Sequence, residues 1–143
     1  MNKVVADFAA MLDAKKAKYE LHTDSDNVIR FRTGLPNNEA YPLIFFSYHE
    51  ENGSFVMLMS ELFKFSGVGI DMFQVMNDFN FDPSTFNCKM FITDRGELTV
   101  ACNSFIEGDD PLGQINEYIS LMVRSVDNYY PRIKELVDNS QNK

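Results

Sequence analysis

These 143 residues predict a single α+β domain in the order helix, three strands, helix, two strands, long helix. Three observations carry that reading. Apolar residues recur at helical spacing in three stretches, 3–18, 68–79 and from 111 onward. Short apolar runs bounded by turn residues lie between them, and Asn52-Gly53 and Asp94-Arg95-Gly96 mark two hairpins. The length suits one domain, 1–143, that buries its own core without disulfides or metal. An antiparallel sheet with helices packed on it follows.

The first helix spans 3–18. Val4, Val5, Phe8, Met11 and Leu12 form its apolar stripe, which Tyr19 extends. Lys15, Lys16 and Lys18 then fall in the last turn, where cations complement the helix dipole. Tyr19 to His22 alternates briefly, and Asp24-Ser25-Asp26-Asn27 is a turn cluster. Val28–Arg32 reads as a strand. Leu43–His49 and Ser54–Ser60 read as a hairpin, because Asn52 and Gly53 both tolerate positive φ. Neither of these two strands alternates cleanly. Leu43 to Phe46 and Phe55 to Met59 are continuous apolar runs, so the hairpin calls for apolar cover on both faces. That cover comes from helix and loop, or from a second molecule.

The second helix, 68–79, carries Val68, Met72, Val75, Met76 and Phe79 on one side, with Ser66-Gly67 at its start and Asn80 to Ser84 at its end. Segments 86–93 and 97–103 form the second hairpin. A three-residue turn with Gly96 in the left-handed region pairs Ile92 with Leu98, Met90 with Val100, and Cys88 with Cys102. A one-residue slip would mix the two faces. Asp110 caps the last helix and Pro111 suits its first position. Leu112, Ile115, Ile119, Met122, Val126 and Tyr129 line one face. Pro131 should kink or interrupt this helix. Residues 139–143 form a polar, frayed tail.

Composition excludes several partners. The net charge is −8. Residues 1–19 sum to +2, which leaves −10 on the remainder. Such a surface repels phosphate backbones and anionic lipid, so neither nucleic acid nor membrane is an expected partner. The N-terminus lacks the apolar run of a signal peptide, and no stretch approaches a membrane span. The expected location is the cytoplasm. Thirteen Phe and eight Met with no Trp give a soft aromatic core. Met also suits adaptable binding surfaces.

Catalytic signatures are lacking. His22 and His49 lie in different segments at no metal-ligand spacing. Gly67-Val68-Gly69 lacks the third glycine and the Lys-Ser/Thr of a phosphate loop. Acidic pairs such as Glu50-Glu51 and Asp109-Asp110 sit at turns and caps. No cofactor or metal is expected. Cys88 and Cys102 oppose each other on the buried face. They read as free thiols acting as small hydrophobes, although a bridge is geometrically conceivable.

The order of elements resembles the type III secretion chaperone-like fold, and within it the YbjN family of bacterial sensory-transduction regulators. The resemblance rests on Phe73-Gln74-Val75-Met76-Asn77-Asp78-Phe79-Asn80, on Lys89-Met90-Phe91-Ile92-Thr93-Asp94-Arg95-Gly96-Glu97-Leu98, and on Tyr129-Tyr130-Pro131. It implies a small acidic binding protein, often a homodimer, that holds extended segments of another protein along apolar surface. It also implies a dimer interface in the second helix, through Val68, Met72, Val75, Met76 and Phe79. The leading expectation is a non-catalytic protein-binding module, chaperone-like or regulatory, that meets its partner through Phe45, Phe46, Phe55, Met57 and Met59. The alternative is a sensor whose pocket for a small apolar ligand is lined by the same residues. An enzyme ranks third.

Overall fold

The computed structural model describes residues 2–21 and 27–141. The turn cluster before Asn27, together with His22, lies outside them. Helices α1 (Lys3–Ala14), α2 (Ile70–Phe81) and α3 (Pro111–Gln141) pack on one antiparallel sheet. Its strands are β1 (Tyr19–Leu21), β2 (Val28–Arg32), β3 (Leu43–His49), β4 (Ser54–Ser60), β5 (Cys88–Ile92) and β6 (Leu98–Phe105). They are ordered β1-β2-β3-β4-β6-β5. The α+β order expected from the sequence is present, with one addition. The brief alternation after α1 becomes a three-residue edge strand, β1, paired with β2.

Helix α1 begins where Asn2 caps it, its side chain accepting from the Val5 amide at 2.8 Å. The Asn2 amide also donates to Asn27 Oδ1 and to the Tyr48 carbonyl, which ties the helix start to β3. The helix stops four residues earlier than expected. Lys16 turns left-handed at φ 56. Ala17 N–H then bonds Leu12 O and Lys16 N–H bonds Asp13 O, a Schellman closure. The lysines therefore lie past the final helical turn, and no basic residue occupies it.

The β3–β4 and β5–β6 strands take the predicted pairings. At the first turn only Gly53 is left-handed, because four residues rather than two make the loop. The second turn is as expected. Gly96 is left-handed at φ 78, its amide bonds Thr93 O, and Thr93 N–H bonds Glu97 O, both at 2.9 Å. Phe65 O would sit 2.2 Å from any Cβ at Gly96, so glycine is required there twice over.

Pairing sorts the continuous apolar runs into two faces. Ile44, Phe46, Phe55, Met57 and Met59 face the helices and expose nothing. Phe8 of α1 stacks on Phe46 at 4.8 Å, Phe46 meets Phe55 at 6.2 Å, and Tyr118 of α3 meets Phe55 edge-on at 5.5 Å. Leu43, Phe45, Val56 and Leu58 take the alternate positions and are half-buried on the opposite face. They do not pack against the core cluster. The chain is thus a two-layer structure whose helices cover one side of the sheet.

Helix α3 runs unbroken through Pro131 as far as Gln141, which corrects the expected interruption. Its N-terminus is the expected one, with Asp110 Oδ1 accepting from Gly113 N–H at 3.1 Å.

Candidate functional site

Helix α2 is displaced two residues from its expected span. Gly69 rather than Ser66-Gly67 precedes it, and the helix continues to Phe81. Asp82 ends it. The Asp82 side chain accepts from the Ser84 amide at 2.8 Å and its hydroxyl at 2.7 Å, which opens a single 3₁₀ turn, Pro83–Thr85.

The buried stripe of α2 is Met72, Val75, Met76 and Phe79. It packs on β5 and α3. Phe79 meets Tyr129 edge-on at 5.0 Å, and the Tyr129 hydroxyl donates to Asp82 Oδ2 at 2.8 Å. Hydrogen bonds from the Ser84 hydroxyl and amide, then from Tyr129, hold the Asp82 carboxyl below its ordinary range. Burial, then the Asp82 carboxylate, push the Tyr129 phenol up to about 12. These residues form the helix's own core contact. The assignment of Val68, Met72, Val75, Met76 and Phe79 to a dimer interface is corrected accordingly. The last four are buried within the chain, and Val68, half-buried, precedes the helix and packs against the same core.

The opposite side of α2 carries a second apolar stripe. Ile70 is 82% exposed, Phe73 54% and Phe81 87%. At 100° per residue, Ile70, Phe73, Asn77 and Phe81 fall within one quarter of the helix circumference, diametrically opposite Phe79. The sequence carried this signal: three large apolar residues lie off the core stripe of a twelve-residue helix.

Beside this face the edge of β5 is blunted. Asn80 mimics a strand residue: its amide donates to Met90 O at 3.0 Å and its oxygen accepts from Met90 N–H at 2.6 Å. Lys89 reaches the Asn80 carbonyl at 2.9 Å. A partner strand cannot pair there without displacing Asn80.

The five expected partner-facing residues divide unequally. Phe46, Phe55, Met57 and Met59 are corrected to core residues. With no exposed surface, none borders a water-sized space, so the ligand pocket they were to line is filled by their own packing. Phe45 alone lies on the outer face, with the Arg30 guanidinium 5.8 Å from its ring centre. An open groove of about 1170 Å³ passes the β1 edge, lined in part by Tyr19, Leu21, Arg30, Arg32 and Leu43.

His49 sits at the hairpin mouth with Nδ1 3.8 Å from Glu51, and both side chains face solvent. Among the described residues no three His, Cys, Asp or Glu side chains are grouped to hold a metal ion. No helix among them is long and apolar enough to cross a membrane.

The α+β fold is shared with a solved chain from a type III secretion complex. Its backbone matches a chain of the heterodimeric ExoU–SpcU complex from the type III secretion system of Pseudomonas aeruginosa, with a TM-score of 0.53. The match covers 92% of this chain and 95% of that one at 14% identity, a likeness of fold alone. No family model matches the chain, and no curated protein matches it.

Proposed function

We propose that this chain is a non-catalytic protein-binding module, chaperone-like or regulatory in the manner of the YbjN resemblance, and that it docks another protein chain on the outward face of α2. The observation that carries this reading is the stripe of Ile70, Phe73 and Phe81, each more than half exposed on a helix whose other side already serves the core. Large apolar side chains grouped on one exposed face mark association surfaces. Aromatic anchors supply a large share of binding energy at such surfaces. The matching fold belongs to a chain from a heterodimeric complex, which is consistent with a framework that offers a face to a second protein.

The first partner to test is a second copy of the chain. Sedimentation velocity of the wild type across a concentration series should show a monomer–dimer equilibrium. Phe73→Asp combined with Ile70→Asp should raise the dissociation constant by about tenfold or more. The thermal midpoint of the monomer should hardly move, because neither side chain is buried. A wild type that stays monomeric at the highest concentrations removes the homodimer. Unchanged association in the double variant removes the α2 face.

A further inference from the structure

We propose that Cys88 and Cys102 form an oxidation site, a dithiol that a low-molecular-weight disulfide converts into an intrachain bridge between β5 and β6. The two residues are direct cross-strand partners. Their parity follows from the turn. The Thr93–Glu97 pair is hydrogen-bonded, Thr93 N–H donating to Glu97 O. Hydrogen-bonded and non-bonded pairs alternate along an antiparallel ladder, so 92–98, 90–100 and 88–102 are non-bonded. The outward hydrogen bonds of Met90 to Asn80 agree with that parity. Non-bonded pairs hold their Cα atoms about 4.5 Å apart with side chains close, inside the range of about 4.4–6.8 Å that a disulfide spans. Both thiols are free, and both lie on the helix-covered face with no exposed surface.

Access comes from the start of the strand. Cys88 is the first residue of an edge strand. Its lead-in contains Phe86, a bulky residue held at φ 56 and ψ −113 with 69% of its surface exposed. A backbone in this region is strained, and the surrounding contacts must hold it. Phe86 N–H bonds Pro83 O at 3.3 Å, and the next residue is anchored by Asn87, whose side-chain amide donates to Asn103 O at 2.5 Å and whose oxygen accepts from the Cys102 thiol at 3.5 Å. Local opening of this lead-in uncovers Cys88 without unfolding the sheet.

The two thiols are unequal. The Cys102 thiol gives its proton to Asn87 Oδ1, whereas Cys88 opens the edge strand whose lead-in uncovers it. Cys88 is therefore the attacking sulfur, and the pairing that lowers its thiol against burial while Cys102 is pushed up agrees with that order. Its thiolate attacks one sulfur of the small disulfide, joins it as a mixed disulfide and releases one small thiol. Cys102 then attacks the Cys88 sulfur, closes the bridge and expels the second small thiol. Two protein thiols lose two electrons and two protons, which reside in the two departing thiols. The bridge fixes β5 to β6 beneath α2. Any effect on association at α2 rests on the reading above, whereas bridge formation does not.

Oxidised glutathione is the probe, applied to the full native chain and followed by intact mass. The expected product is lighter by two hydrogens, forms faster than the chain unfolds globally, and melts about 5 °C or more higher. Cys102→Ser should stop at a mixed disulfide on Cys88, and Cys88→Ser should react about tenfold more slowly. The wild-type measurement stands alone if either variant fails to fold. A chain that stays reduced, retains glutathione as a mixed adduct, or bridges no faster than it unfolds overturns the proposal.

Discussion

Asp127 shows how one side chain fastens a long loop to a helix. It lies in the middle of α3 and is almost wholly buried. Its carboxylate accepts from the Asn37 amide at 3.1 Å, Asn37 Nδ2 at 2.7 Å and Asn38 Nδ2 at 2.8 Å. Burial pushes its pKa up, but the hydrogen bonds from Asn37 and Asn38 together outweigh burial, and the group sits below its ordinary 3.8. A carboxyl depressed in the folded state stabilises fully above its unfolded value and loses that contribution as the pH falls through the folded one. Asp127→Ala should cost about 3 kcal/mol near neutrality, because three donors lose a charged acceptor. Asp127→Asn should flatten part of the fall in the urea midpoint as the pH drops below about 5. Asp82 adds to the fall in the same sense, since it is depressed in the same direction. A variant whose midpoint falls as steeply as the wild type would remove Asp127 from the acid response. Neither Asn37 nor Asn38 is distinguished in the sequence, where Pro36-Asn37-Asn38 reads only as loop. Their partner is about ninety positions away, and no local pattern records that distance.

At the scale of elements, α3 and Pro131 explain why that loop docks where it does. Proline has no N–H to offer the carbonyl four residues earlier. That carbonyl belongs to Asp127, and Asn38 Nδ2 reaches it at 3.1 Å. The loop side chain supplies the donor that the helix lacks, so the helix passes through proline without a break. Asn38→Ala should therefore cost about 1–3 kcal/mol in the wild type, where the carbonyl is left bare. In a Pro131→Ala background a new backbone N–H satisfies that carbonyl, and the same substitution should cost about 1 kcal/mol less. A double-mutant cycle in urea reads the coupling, and strict additivity would exclude the compensation. Elements were legible wherever the deciding chemistry was local. Turn residues and alternation specified the β5–β6 register, and Asp110 with Pro111 specified the start of α3. The end of α1 was missed because Lys16, rather than glycine, takes the left-handed position. On α2 the core stripe was legible and the outward stripe was passed over. Periodicity identifies the face that packs and does not say what the remaining apolar residues are for.

For the molecule as a whole, the one-sided sheet decides which apolar residues are structural. Continuous apolar runs in β3 and β4 imply two apolar faces, and the structure has them. The helices seal Phe46, Phe55, Met57 and Met59, while Leu43, Phe45, Val56 and Leu58 are half-buried on the other side. Sequence alone could not assign these faces, because runs of Phe, Met and Leu look the same in either register. Adjacent phenylalanines at Phe45 and Phe46 separate the two environments with the side chain held constant. Phe46 stacks on Phe8 and fills the centre of the core. Its replacement by Ala should cost about 3–5 kcal/mol, from lost transfer energy and the cavity left behind. Phe45→Ala removes a half-buried ring that leaves no sealed void, so about 1 kcal/mol is expected. Urea titrations at two protein concentrations measure both. If the outer face were closed by another copy, Phe45→Ala would lose stability in a concentration-dependent way and approach the cost at Phe46. Equal costs without concentration dependence would mean that the outer face is sealed from within, contrary to the one-sided architecture.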